Sequence, residues 1–258
     1  MAAETLALLA LTGLVAGFVD AIAGGGGLLT VPALALAGLD PIAAIATNKL
    51  SSTFGSGSSS FAFARAGKIE LASMGPAALA SGAGAVLGAL SLPFAPRQAL
   101  ADALPFILIA VALYFALAPE MTEVDRAQRV SPRRFALTLA PAIGFYDGVF
   151  GPGTGTFFVI GFVALAGYGL TRAVANARLA NFASNVGALG VYAFGGHIEV
   201  AAGLAMGAGA LAGGRLGALS ALRGGARLIR PLIVVASCAL ALKLASLPGA
   251  PLAWILGG

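Results

Sequence analysis

Charge, cysteine and histidine are all scarce in this chain of 258 residues: charged side chains make up 10% of it, with one Cys, one His and one Trp. A soluble domain carries roughly 25% charged residues, so this chain has too few to cover a water-facing surface. Cys238 stands alone in an apolar run, which excludes a disulfide framework and a cysteine metal site, and no cofactor or metal is expected. The elbow G-x-S-x-G is missing and the sole His197 lies at a helix end, so no nucleophile–base pair is available and an enzyme is not expected. The serines of residues 55–60 are read instead as helix-packing or path-lining residues. No Gly-Lys-Ser/Thr follows any glycine run, so there is no nucleotide loop. The net charge of +5 comes from arginines between apolar segments and implies no nucleic-acid partner. No basic stretch precedes the first apolar run, where Glu4 stands, so no cleaved signal peptide is expected.

What the chain has in quantity is apolar residues, 59% of the total. Ten-residue alternation, the mark of a membrane barrel, is missing, so the fold class is an all-α integral membrane protein with the lipid bilayer as its solvent. Eight apolar segments are long enough to compare with the ~20 residues of a spanning helix. The first repeat, 1–118, holds segments at 5–38, 41–64, 71–95 and 98–118. A polar linker, 119–134, carries Glu120, Glu123, Asp125, Arg126, Arg129, Arg133 and Arg134. The second repeat, 135–258, holds segments at 135–168, 171–194, 200–222 and 228–247, and the whole is one membrane domain.

The segments of the two halves match. Asp20 precedes Gly24, Gly25, Gly26 and Gly27, and Asp147 precedes Gly151, Pro152, Gly153, Thr154 and Gly155, 127 positions later. Residues 44–50 match residues 173–179 at an offset of 129, and Gly84 and Gly88 match Gly213 and Gly217 at that same offset. Glycine costs roughly 1 kcal/mol against alanine in a helix, so four in a row break one. Broken backbone is tolerated in hydrocarbon only where protein or a polar cavity surrounds it. Residues 5–38 as one helix would be ~51 Å long against a core of ~30 Å. A re-entrant hairpin resolves that mismatch and leaves each half with an odd number of crossings, so the repeats are inverted. Loop charges agree. With hairpins, one face holds ten short-loop Lys and Arg and the other only Arg97; with a single crossing the split is six against five. The positive-inside rule therefore puts the linker in the cytoplasm and both termini outside it.

Lys49 and Arg178 occupy matched positions about eight residues into the second helix of each half. Charges at that depth are costly and face a cavity or a partner. Helix N-termini beside the glycines, together with two cations, make an anion site, to which Thr47, Asn48, Thr154, Asn176 and Asn181 could add hydrogen bonds. Alternatively the cations snorkel to an interface, or form salt bridges with Asp20 and Asp147. Those acids could carry a coupling proton, remain paired for good, or cap the half-helices. Gly203, Gly207, Gly213 and Gly217 are spaced for close helix packing, and Arg215 is read as snorkelling.

Asp20, the four glycines, Pro32 and the Ala46-Thr47-Asn48-Lys49 run resemble the sulfite exporter TauE/SafE family, which includes taurine and sulfoacetate export proteins; the second copy is the more degenerate Gly151-Pro152-Gly153-Thr154-Gly155. The resemblance covers nearly the whole chain. It implies a bacterial inner-membrane transporter moving sulfite or organosulfonate anions, outward in the exporters that name the family. The substrate class rests on the resemblance alone. Direction, coupling ion and oligomeric state stay open, a homodimer included.

Overall fold

The computed structural model of the chain describes residues 1–94 and 123–245; the expected helix at 98–118 and the tail after Pro248 lie outside the described residues. Among the described residues every regular element is helical. Helix α1 (Ala3–Ala23) ends at Gly24, whose φ of 88° only glycine adopts without strain and whose N–H closes back on Asp20 O at 2.9 Å. Helix α2 (Gly27–Leu36) follows after three residues. Helix α3 (Pro41–Arg65) starts where the Asp40 carboxylate accepts from Ile42 and Ala43 N–H, with Pro41 at the first helical position. Helix α4 (Leu71–Ser91) leads into a short 3₁₀ turn, Leu92–Phe94. The second half runs α5 (Pro132–Leu137), α6 (Leu139–Val149), α7 (Thr154–Ala164), α8 (Leu170–Phe194) and α9 (Val200–Ala245). By length and composition α1 and α4 qualify as membrane-crossing helices.

Both glycine breaks turn the chain back on itself. Met1, before α1, shares a surface cleft with Gly38 and Asp40, just past α2, and Leu9 clusters with Leu34. In the second half Arg129 and Val130 N–H both donate to Leu165 O, at 3.0 and 2.9 Å, and Phe135 stacks on Phe162 at 4.5 Å. The two helix pairs open at opposite ends of α3. The first opens beside Asp40 and the 196–199 turn. The second opens beside the start of α4, where Tyr168 donates to Met74 Sδ at 3.8 Å. Burial raises the pKa of the Tyr168 phenol, with the nearby Arg172 guanidinium working against it.

Three boundaries differ from the expectation. The helices expected at 200–222 and 228–247 are one element of 46 residues, ~69 Å at 1.5 Å per residue. Arg223-Gly224-Gly225-Ala226-Arg227 looks like a loop, yet two glycines cost only about 2 kcal/mol in a helix and no proline stands before Pro231. The linker also ends earlier, because Ser131 caps α5 from Pro132 onward. Its described acids are engaged: Asp125 accepts from Gly169 N–H at 2.7 Å and pairs with Arg172, and Glu123 accepts from Thr171 N–H at 3.3 Å, which together cap α8. The helix expected at 71–95 stops at Ser91 and tightens into the 3₁₀ turn, since Pro93 has no N–H with which to continue the helical ladder.

Glycines bring backbones into direct contact along two seams. On α9, a Cβ at Gly209 would lie 1.8 Å from Ala10 O and one at Gly213 1.9 Å from Leu14 O, while Gly13 on α1 faces Met206 O at 2.0 Å. The seam between α4 and α6 is built alike: a Cβ on Gly84, Gly88, Gly144 or Gly148 would lie 2.1 Å from a facing carbonyl oxygen. The helix that leads into each glycine break, α1 or α6, is thus clasped by a helix from the other half. Gly203 and Gly207 make room for Leu50 and Phe54 side chains instead. Gly84→Leu is expected to cost about 1–3 kcal/mol by overpacking, read as a lower thermal midpoint in detergent. Gly190→Ala, where an added Cβ meets nothing within 4 Å, is expected to be neutral or slightly stabilising.

Candidate functional site

The tips of the two helix pairs, at their glycine breaks, meet each other. Thr156 Oγ1 donates to Ala23 O at 2.7 Å, a Cβ on Gly24 would lie 2.3 Å from Thr156 N, and one on Gly27 would lie 3.3 Å from Pro152 Cα. Gly151 and Gly153 hold φ of 93° and 86°, so the second tip, like the first, needs backbone that glycine supplies without strain.

Two cations sit at this junction, each completely buried. Lys49 Nζ lies 2.8 Å from Asp147 Oδ1, with exposures of 0% and 2%. Arg178 Nη1 lies 2.7 Å from Asp20 Oδ2, with exposures of 0% and 17%. The pairing is crossed: each half supplies the cation for the acid of the other half's tip. Snorkelling is overturned for both cations, because neither reaches the surface, and a depth of about eight residues from the helix start puts them at mid-helix. Of the readings open for the acids, pairing is observed for both and capping for Asp20, whose Oδ1 accepts from Gly26 N–H at 3.1 Å. Asp147 Oδ1 accepts from Thr154 Oγ1 at 2.8 Å. Lys49 Nζ, Asp147 Oδ2, Arg178 Nε and Arg178 Nη2 are buried without a hydrogen-bond partner among the described residues. Burying such groups is costly when they stay unpaired.

The glycines fit around the cations. A Cβ on Gly155 would lie 2.1 Å from Arg178 Nη2, and one on Gly24 3.0 Å from the same atom. A Cβ on Gly151 would lie 2.8 Å from Lys49 Nζ, and one on Gly26 2.7 Å from Asp20 Cβ. Only bare backbone leaves room for the charged heads at the starts of α2 and α7.

Of the polar candidates, Asn48 and Thr154 reach the tips and Thr47 and Asn176 do not. Asn48 Oδ1 accepts from Thr30 Oγ1 at 2.5 Å and from Ser52 Oγ at 3.1 Å, while its Nδ2 is 3.7 Å from where a Cβ on Gly27 would sit. Thr47 Oγ1 accepts from Glu199 N–H at 2.9 Å, tying α3 to the start of α9. Asn176 Nδ2 turns back to Arg172 O at 2.8 Å. Both stand two positions before the cation, about 200° around a helix of 3.6 residues per turn, and so face away from it. Asn181 is buried on α8 and makes no side-chain hydrogen bond among the described residues. Thr30, Ser51, Ser52 and Thr156 belong to the neighbourhood and carried no separate signal, although Thr30 and Ser52 each follow a tip or site residue by one helical turn. Arg215, exposed on α9, lines an outer cleft with Arg65.

The chain matches a known family model, described as "Sulfite exporter TauE/SafE", over residues 9–244. It is 50% identical over 257 residues to "Probable membrane transporter protein ORF9" of Sinorhizobium, covering 100% of this chain and 98% of that one. It is 41% identical over 239 residues to "Probable membrane transporter protein YfcA" of Escherichia coli K12, covering 93% and 89%. A "Probable membrane transporter protein" of Haemophilus influenzae is 39% identical over 241 residues, covering 93% and 94%. No solved structure matches the chain significantly.

Proposed function

The chain belongs to the sulfite exporter TauE/SafE family, and on that premise we propose that it is a secondary transporter for small sulfur-containing oxyanions, sulfite or organosulfonates, working by alternating access. The observation that carries this reading is the meeting of two glycine tips at two buried, crossed cation–carboxylate pairs. Lys49 and Arg178 neutralise the oxyanion there, and N–H groups at the starts of α2 and α7 favour negative charge beside them. Asp20 and Asp147 are the two carboxylates positioned to take up a coupling proton as substrate competes for their cations.

In this reading the helix pairs are re-entrant hairpins of two inverted repeats. The opening of the pairs at opposite ends of α3 and the charge bias of the loops support it. The end bearing Arg65, Lys68 and residues 123–134 faces the cytoplasm of a bacterial inner membrane, and Met1 faces outward. Complete burial of both cations favours a carrier over an anion channel, which would line a continuous water path with them.

Reconstitution into proteoliposomes tests the assignment. Lys49→Gln and Arg178→Gln are each expected to lower sulfite and sulfonate flux by at least about tenfold, the loss of one charge-assisted contact. Thermal-shift controls identify variants that fail to fold. Unchanged flux in both folded variants would sink the site. Flux far above ~10³ per second, beyond ordinary turnover, would favour the channel.

A further inference from the structure

The two crossed pairs are related in sequence, yet they are not equivalent in structure. Lys49 and Asp147 are sealed, at 0% and 2% exposure, and Thr154 Oγ1 donates to the Asp147 oxygen that faces Lys49. Asp20 is 17% exposed. It borders a cavity of ≈ 20 Å³ lined by Thr30, Ser51 and Ser52, room for about one water molecule with hydroxyls to bond it. Its partner Arg178 spends one nitrogen on the pair and keeps Nε and Nη2, both buried, without partners among the described residues. An oxygen-rich anion needs such spare donors, and Arg presents them in a planar fork.

Charge then limits what the junction can hold. Two cations and two carboxylates sum to zero, and an uncompensated charge in a site this dry is strongly disfavoured. Resting on the reading of the tips as the substrate site, the geometry points to a site for one singly charged oxyanion at a time. The anion takes Arg178 from Asp20, and Asp20 takes one proton from the solvent; Lys49 stays beside Asp147 and turns its spare N–H donors to the anion. A monoanion such as an organosulfonate or bisulfite leaves the junction neutral after this exchange. A dianion leaves one negative charge uncompensated and is refused.

Among the described residues, no second carboxylate stands on a helix packed against α1. The charged side chains on helices packed against α1 are Lys49 and Arg65 on α3, Arg172 and Arg178 on α8, and Arg215 and Arg223 on the described part of α9. Lys49 is paired with Asp147, Arg172 with Asp125, and Arg65 and Arg215 line the outer cleft. Helices α2 and α7 carry no ionisable residue.

Calorimetric titration of the full-length chain in nanodiscs, with methanesulfonate as monoanion and sulfate as dianion, tests this directly. Repeating it in buffers of different ionisation enthalpy counts the protons. The expected result is methanesulfonate binding at least about tenfold tighter than sulfate, with one proton taken up per anion. Asp20→Asn is expected to bind methanesulfonate as tightly or tighter with no proton uptake. Sulfate binding as tight as methanesulfonate, two protons per anion, or uptake that survives Asp20→Asn each overturns the proposal. If Asp20→Asn fails to fold, the wild-type selectivity and proton count still decide. Binding of neither anion by folded protein is a different failure: it removes the substrate site itself, and with it the proposed function.

Discussion

Lys49→Met is expected to destabilise the protein by about 3–5 kcal/mol, because it leaves the Asp147 carboxylate buried without its cation. Asp147 is 2% exposed, so water cannot take over. Adding Asp147→Leu should recover most of that loss, since buried ion pairs can be replaced by apolar residues of similar volume at little or no net cost. Transport should not recover with stability, because the double variant lacks one of the two cations. Midpoints from thermal or denaturant unfolding in detergent, set beside flux in proteoliposomes, separate the two effects. Recovery of flux in the double variant would make the Lys49 pair purely structural.

Gly155→Ala is expected to abolish transport almost entirely, by about a hundredfold or more, although it adds one methyl group. The new Cβ would fall 2.1 Å from Arg178 Nη2 and 2.8 Å from its Cζ and Nη1. A guanidinium at the surface would swing aside, but this one has 0% exposure and is held by Asp20 at 2.7 Å. Moving it breaks the pair and leaves the carboxylate with only Gly26 N–H, a loss on the scale of about 3 kcal/mol or more. Shortening the cation with Arg178→Lys in the Gly155→Ala background should restore part of the flux. Full flux in Gly155→Ala alone would show that Arg178 has room that the packing denies it.

Much of this architecture is legible in the residues. Low charge and long apolar runs give the helical membrane class, and the glycine runs mark both breaks to within a residue or two. The matched depth of Lys49 and Arg178 identifies the two buried cations. The crossed partnership does not follow from one sequence, because Asp20 pairs over 158 positions and nothing local records that. Thr47 and Asn176 mislead for a simpler reason: proximity along the chain is not proximity on a helix, and two positions turn a side chain to the opposite face. The continuous α9 was hidden by two glycines and flanking arginines that read as a loop when helical continuity is cheap.

The glycine seams have a mechanical consequence. Side chains that interlock like gear teeth must be lifted clear before one helix can slip along another, whereas backbone resting on backbone offers no teeth. On α9 the bare positions recur at 209, 213 and 217, and on α1 at 13 and 17, a pitch of four residues or ~6 Å. A limb shifted by one pitch would find the next notch of the same shape. Helices α1 and α6 thus each lie along a rail of evenly spaced glycines, and the rail belongs to the opposite half of the chain.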